Sequence, residues 1–249
     1  MNKTSSILAL FALVFTGQAV AVKPQKLSLS QSEQFPYSMV GQLYYTSGRV
    51  DYQASGTLIH QRSVLTAAHN LWDEFGGFSV SIEFNRGRHG AEALSHDIPT
   101  RKFIFAGYRA AVVERGIASN LAFARDLGGL RFASAIADGS YVGWKAQPTL
   151  LTGDTQPLAV GYGAEIHSGD EPLAVEPMSA FEPVKGAYLE TVGTRFESGM
   201  SGGPVLVEEG NEWRVVGVIV SGREAPEPAG GVRALNSTSS VFIRKYLTY

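Results

Sequence analysis

The sequence contains no cysteine. That absence excludes thiol nucleophiles, thiolate metal sites, iron–sulfur clusters, disulfides and a lipidated N-terminal cysteine. Charge is also scarce. Only 18% of the residues are charged, and 21 Lys and Arg face 23 Asp and Glu for a net charge of −2. Such a balance offers nucleic acid or an anionic membrane nothing to hold, so neither nucleic acid nor stable membrane association is expected. No internal repeat, low-complexity tract, P-loop or dinucleotide fingerprint is found. Gly161-Tyr162-Gly163 lacks the third glycine and the following helix that a nucleotide site needs. The cofactor reading of that run is accordingly weak. What is present is a folded, turn-rich composition: 249 residues, 44% hydrophobic, 10% aromatic, with 28 Gly and 11 Pro. That length suits one large domain or two small ones, and either can bury a substantial core.

The first residues have the order of an export signal. Lys3 supplies a positive start, Ile7 to Phe15 is an unbroken apolar run, and Ala19-Val20-Ala21 offers small residues for cleavage. The run is too short to span a bilayer comfortably; a buried N-terminal helix is the competing reading. Residues 1–21 are accordingly expected to be a signal peptide and the protein to be periplasmic or secreted. Their removal takes away Lys3 alone among charged residues, leaving 20 Lys and Arg against 23 Asp and Glu. An exported chain without cysteine must hold its fold by core packing alone.

From Val22 to about Gln34 the sequence is polar without sustained periodicity, so residues 22–35 read as a loose arm or short pro-segment. Short β-like segments follow. Ser38 to Tyr45 alternates weakly, Ala54 to Leu58 leads into Val64-Leu65, and Phe78 to Phe84 alternates apolar and polar. A second set comprises Leu158 to Val160, Tyr188 to Val192, Pro204 to Val207 and Trp213 to Val220. Breaks fall at Ser47-Gly48, Gly76-Gly77, Asn85-Arg86-Gly87, Gly210-Asn211 and Ser221-Gly222. Many short strands with frequent turns argue for an all-β sandwich or a pair of barrels. Only the C-terminus reads as helix, over about 238–248. There Phe242/Tyr246 and Ile243/Leu247 are i,i+4 pairs, with Ser237, Thr238 or Ser239 as cap. Asp97 to Asn120 reads as a long insertion.

Two stretches carry the chemistry. Val64-Leu65-Thr66-Ala67-Ala68-His69 is a strand running into small residues and then a histidine. Ser198-Gly199-Met200-Ser201-Gly202-Gly203-Pro204 is a serine in a glycine-rich turn before an apolar strand. Nucleophilic hydrolysis needs a hydroxyl, an imidazole to take its proton, and backbone N–H donors for the oxyanion. Of the five histidines, His60, His69, His89, His96 and His167, only His69 ends a strand among small residues. Taken singly, His69 could be a hydrogen-bonded core histidine and Ser201 an ordinary turn serine.

Together the two stretches resemble the trypsin/chymotrypsin-like serine peptidases, which place a histidine in T-A-A-H and a serine in G-D-S-G-G-P. The likeness continues in order. Gln53 to Leu58 resembles the strand before the histidine, Gly161-Tyr162-Gly163 the family's G-W-G, and Gly217-Val218-Ile219-Val220 its G-I-V-S strand. Gly231-Val232 followed by a terminal helix resembles its ending. The resemblance covers roughly residues 36–249 and implies two antiparallel six-stranded β-barrels, at about 36–135 and 145–235, with a C-terminal helix. It further implies an exported serine endopeptidase working through an acyl-enzyme on protein or peptide substrates, as a monomer, with no cofactor and no metal. His69 would be the general base, Ser201 the nucleophile, and the N–H groups of Gly199 and Ser201 the oxyanion hole.

For the acid that orients His69, two alignments compete. Asp126-Leu127-Gly128-Gly129-Leu130 resembles the family's D-I-A-L-L with glycines where Ala and Leu are usual. Asn120-Leu121-Ala122-Phe123 keeps the small residue but replaces the acid by an amide. Asp126 is the expected third member. Asn120 in that place would imply a catalytically silent homologue that binds peptide or protein. An esterase-like hydrolase is a third reading, but the strand–elbow–helix context of G-x-S-x-G is missing after Ser201. Met200 stands where the activated animal enzymes carry an aspartate that pairs with a new N-terminus, so the resemblance points to the bacterial, disulfide-free branch. Arg195 would lie at the base of the primary specificity pocket, with Ser198, Val220 and Gly222 among the substrate-binding residues. Facing inward, Arg195 would favour acidic side chains; turned to solvent or paired with Glu197, it would leave a pocket lined by Phe196.

Overall fold

A computed structural model describes residues 22–73, 77–177, 179–223 and 227–248. The expected signal peptide, residues 1–21, and Gly76 of the expected Gly76-Gly77 break lie outside the described residues. The segment expected as a loose arm is tied down. Its strand β1 (Gln25–Lys26) pairs antiparallel with Leu173 and Ala174, and the Val22 N–H donates to the Gly193 carbonyl at 2.8 Å. A one-turn helix α1 (Leu29–Ser32) follows, closed by a capping box between Ser28 and Gln31. No periodicity marks this arm because it binds through backbone groups and buries few side chains.

The chain then builds a seven-stranded antiparallel sheet. Its strands are β2 (Val40–Ser47), β3 (Val50–His60), β4 (Ser63–Thr66), β5 (Val80–Arg86), β6 (Ser95–Asp97), β7 (Arg101–Ile104) and β8 (Gly128–Arg131), in the spatial order β6-β5-β2-β3-β4-β8-β7. Between β7 and β8 lie two helices, α2 (Tyr108–Arg115) and α3 (Asn120–Phe123). A nine-stranded sheet follows. It joins β1 to β9 (Gly143–Trp144), β10 (Leu158–Gly161), β11 (Leu173–Val175), β12 (Glu182–Lys185) and β13 (Tyr188–Val192), and ends with β14 (Pro204–Glu209), β15 (Glu212–Arg223) and β16 (Ala229–Ala234). A short helix α4 (Thr149–Thr152) precedes β10, and α5 (Ser237–Tyr246) closes the chain. The fold is mostly β: two curled antiparallel sheets and a C-terminal helix. The sheets exceed six strands through short pieces such as β1, β6 and β9, the last paired parallel with β15, none long enough to show a period-2 pattern.

The hairpins follow from their turn residues. Gly48 links β2 to β3 and Gly210 links β14 to β15, each at the first central position of a two-residue loop with φ of +63° and +65°. That is the geometry whose twist matches the flanking strands, and glycine adopts it without strain. Side chains of both sheets meet in one apolar cluster, with Leu43, Leu58 and Phe84 from the first and Val160, Leu206 and Val218 from the second. Helix α5 is capped one residue earlier than expected. The Asn236 side chain accepts from the Ser239 N–H at 3.1 Å and the Ser239 hydroxyl accepts from the Asn236 N–H at 2.9 Å. That reciprocal pair needs a partner three residues on, which sets the boundary.

Candidate active site

His69 sits on a single 3-10 turn, Ala68–Asn70, directly after β4. The small residues before it are explained by crowding. Ala67 and Ala68 are fully buried, and a side chain on Gly128 of the neighbouring β8 would lie 3.0 Å from the Ala67 carbonyl oxygen. The 97–120 insertion supplies the support behind the turn. Tyr108, Ala111 and Val112 of α2 pack with Ala68, Trp72 and Ala122, and the Tyr108 ring meets Trp72 edge-on at 6.1 Å.

Asp126, 1% exposed, lies in the link from α3 to β8. Its Oδ2 is 2.6 Å from His69 Nδ1, and its Oδ1 accepts from the His69 backbone N–H at 3.0 Å. Two bonds fix both the ring and the turn that carries it. Burial alone would lower the His69 pKa; the Asp126 charge and hydrogen bond outweigh it and leave the pKa raised. Asn120 is elsewhere, exposed as the first residue of α3. The glycines after Asp126 also have a cause. A Cβ on Gly129 would sit 2.6 Å from the Leu247 side chain, which fills that space from the end of α5.

Ser201 lies across the cleft in the turn before β14. The Ser201 hydroxyl and the His69 ring open onto the same cavity, about 400 Å³ in volume, without a hydrogen bond between them. Gly199 takes φ +94° and Gly202 φ +86°. A Cβ on Gly199 would stand 2.4 Å from the Tyr162 carbonyl, so only glycine fits that position. Among the described residues, no backbone carbonyl takes the N–H of Gly199 or Ser201. These two donors are unspent, as an anion-binding turn requires.

The loop is gripped from the first sheet by residues that sequence reasoning missed. The Ser55 hydroxyl donates to the Gly199 carbonyl and accepts from the Tyr162 N–H, both at 2.8 Å. The Ser201 carbonyl accepts from the Ser55 N–H at 2.8 Å and from the Asn70 side chain at 3.1 Å. Asn70 adjoins His69 and was within reach of a motif reading, whereas Ser55 looks like any serine in an apolar strand. On the other side, the buried Glu197 carboxylate meets His167 Nδ1 at 2.8 Å and accepts from the Ile166 N–H at 3.2 Å. Met200 is fully buried in an apolar cluster with Leu173, Phe196 and Val205.

A second cavity of about 350 Å³ opens beside Ser201, lined by Glu165, Arg195, Phe196, Glu197, Ser198 and Gly222. Arg195 faces inward, 8% exposed, and its guanidinium pairs with Glu165 at 2.5 Å rather than with Glu197. The Val220 side chain is buried in the core and lines neither cavity. Phe196 is 2% exposed and its ring fills the space over Gly230, so little of its apolar surface faces the pocket. Among the described residues, no group of three or more His, Asp or Glu is placed to hold a metal ion.

The sequence model of the trypsin family matches residues 28–238. The chain belongs to the trypsin family. Solved structures with the same fold include the protease Anisep from Arthrobacter nicotinovorans, at 15% identity and a TM-score of 0.69 over 85% of this chain and 96% of that one. A Glu endopeptidase in complex with MPD matches at 19% identity and a TM-score of 0.72, over 91% of this chain and 98% of that one. A thermostable serine protease, AL20, from an extremophilic microorganism matches at 16% identity and a TM-score of 0.66, covering 82% and 94%. No curated protein matches the sequence. The trypsin-family chain is thus a serine peptidase by fold and family, and protein or peptide is its class of substrate.

Proposed function

We propose that the protein is an active serine endopeptidase that cleaves peptide bonds through an acyl-enzyme. The observation that carries this reading is the double hydrogen bond from Asp126 to His69, on the wall of the cleft that Ser201 shares. His69 takes the Ser201 proton through Nε2 as the hydroxyl attacks the scissile carbonyl. Asp126 holds Nδ1 protonated and stabilises the imidazolium, and the N–H groups of Gly199 and Ser201 receive the oxyanion. The Ser–His hydrogen bond closes as substrate fills the cleft, as is usual when a catalytic pair is seen without its substrate. Export with cleavage after Ala21 belongs to the same proposal. Purified protein should be labelled by a fluorophosphonate at Ser201. Ser201→Ala and His69→Ala should lose both labelling and peptide cleavage, and cleavage by Ser201→Ala would sink the assignment.

The pocket beside Ser201 supports selection of an acidic side chain. Its wall is polar and Arg195 stands at its base, while the Glu165 carboxylate occupies the guanidinium from a half-exposed position. A substrate Glu or Asp would take the place of Glu165 in a charge-assisted bond. The likeness to a Glu endopeptidase agrees with this choice. A peptide library should show preference for Glu or Asp before the cut. Arg195→Ala should erase that preference while sparing reaction with small acylating probes, and Glu165→Gln should strengthen it. Efficient cleavage after Lys or Arg contradicts it.

A further inference from the structure

A cavity away from the cleft lies against α5. It has a volume of about 770 Å³, within the range of small-molecule sites. Apolar groups make most of its wall, among them Ile104, Phe105, Leu121 and Phe242. Its charged residues are of one sign. Arg125, Lys185, Arg233 and Lys245 line it, and no Asp or Glu does among the described residues.

Arg233 is the unusual member. It is 1% exposed, stacked over the Phe105 ring at 4.7 Å, and its Nη1 donates to the Ala234 carbonyl and to the Ser239 hydroxyl. Its Nε is buried and has no partner. A buried, unpaired donor on a cation is costly, and an anion held on the Arg233 side of the cavity would offset the charge that burial disfavours. Burial lowers the Arg233 pKa and the Asp126 charge partly restores it, so a second negative charge would be welcome there.

We propose that this cavity binds a single-chain fatty-acid carboxylate, with the head group on Arg233 and the alkyl chain against Phe105, Leu121 and Phe242. A free inorganic anion would leave the apolar wall uncovered. An uncharged alkyl chain would leave the positive charge of the lining, Arg125, Lys185 and Lys245 beside Arg233, unused. Only a molecule with both parts answers both halves of the lining.

The test is titration of the mature protein with dodecanoate below its micelle concentration, followed calorimetrically. Saturable one-to-one binding is expected, weakened about tenfold or more in Arg233→Met. Because a substitution at so buried a residue can unfold the chain, a second variant is needed. Val241 lines the cavity but is 66% exposed, so Val241→Trp should block the site while leaving peptidase activity unchanged. Ser201→Ala should bind dodecanoate like the wild type, which separates this inference from the catalytic one. Equal binding of dodecyltrimethylammonium, displacement by equimolar inorganic phosphate, unaltered binding by folded Val241→Trp, or no binding to the wild type would each overturn it.

Discussion

Asp126 spends one carboxylate oxygen on the His69 ring and the other on the His69 backbone. An amide in its place could still accept one bond, but it would favour the wrong imidazole tautomer and could not neutralise an imidazolium. Asp126→Asn should therefore lower kcat by about 10⁴ with the circular dichroism unchanged, whereas Asn120→Ala, at an exposed helix start, should leave kcat within about twofold. The pH profile follows from the same contact. His69 works as a base only when neutral, and its pKa is raised above the ordinary 6.5. The acidic limb of kcat/KM should then have its midpoint above 6.5, and a midpoint at or below that value would contradict the geometry. Stability runs the other way. A raised folded-state pKa contributes stability that is fully present below the unfolded value and is lost as pH rises through the folded one. The site gains activity over the pH range in which this contribution disappears.

At the scale of elements, α5 is fastened by Leu247, which occupies the space that a side chain at Gly129 would need. Leu247 is fully buried, so Leu247→Ala should cost about 2–5 kcal/mol in urea unfolding, with the loss passed to β8 and the adjoining Asp126. This pairing also explains why the Asp126 strand looked atypical: its missing side chains are supplied by the chain's other end. The legible elements were those with local signals. Alternation marked β2 and β5, short apolar runs bounded by turn residues marked β14 and β15, and Phe242 and Ile243 marked α5. Helix α2 gave no such signal, because its N-cap is Gly107 at φ +80°, without a capping side chain, and its buried face is only Tyr108, Ala111 and Val112. His69 and Ser201 were legible because short motifs surround them. Ser55 and the Glu197–His167 pair were not, since each acts on residues far away in sequence.

Across the whole molecule, the oxyanion turn is assembled without a charged switch. Met200 is buried among apolar side chains, and the arm is held by the Val22 N–H on the Gly193 carbonyl, a bond that a peptide amide makes as well as a free amine. Protein carrying extra residues before Val22 should keep its peptidase activity within a fewfold. Strict dependence on one exposed N-terminal residue would contradict this. The two sheets, by contrast, cannot be separated without consequence. The bonds from Ser55 to Gly199 and from Asn70 to Ser201 span 144 and 131 positions of the chain. Contacts of such separation close late, after the loop entropy between them has been overcome. A chain with either sheet formed but the two undocked lacks these bonds, and its serine turn is left without the grip that shapes it.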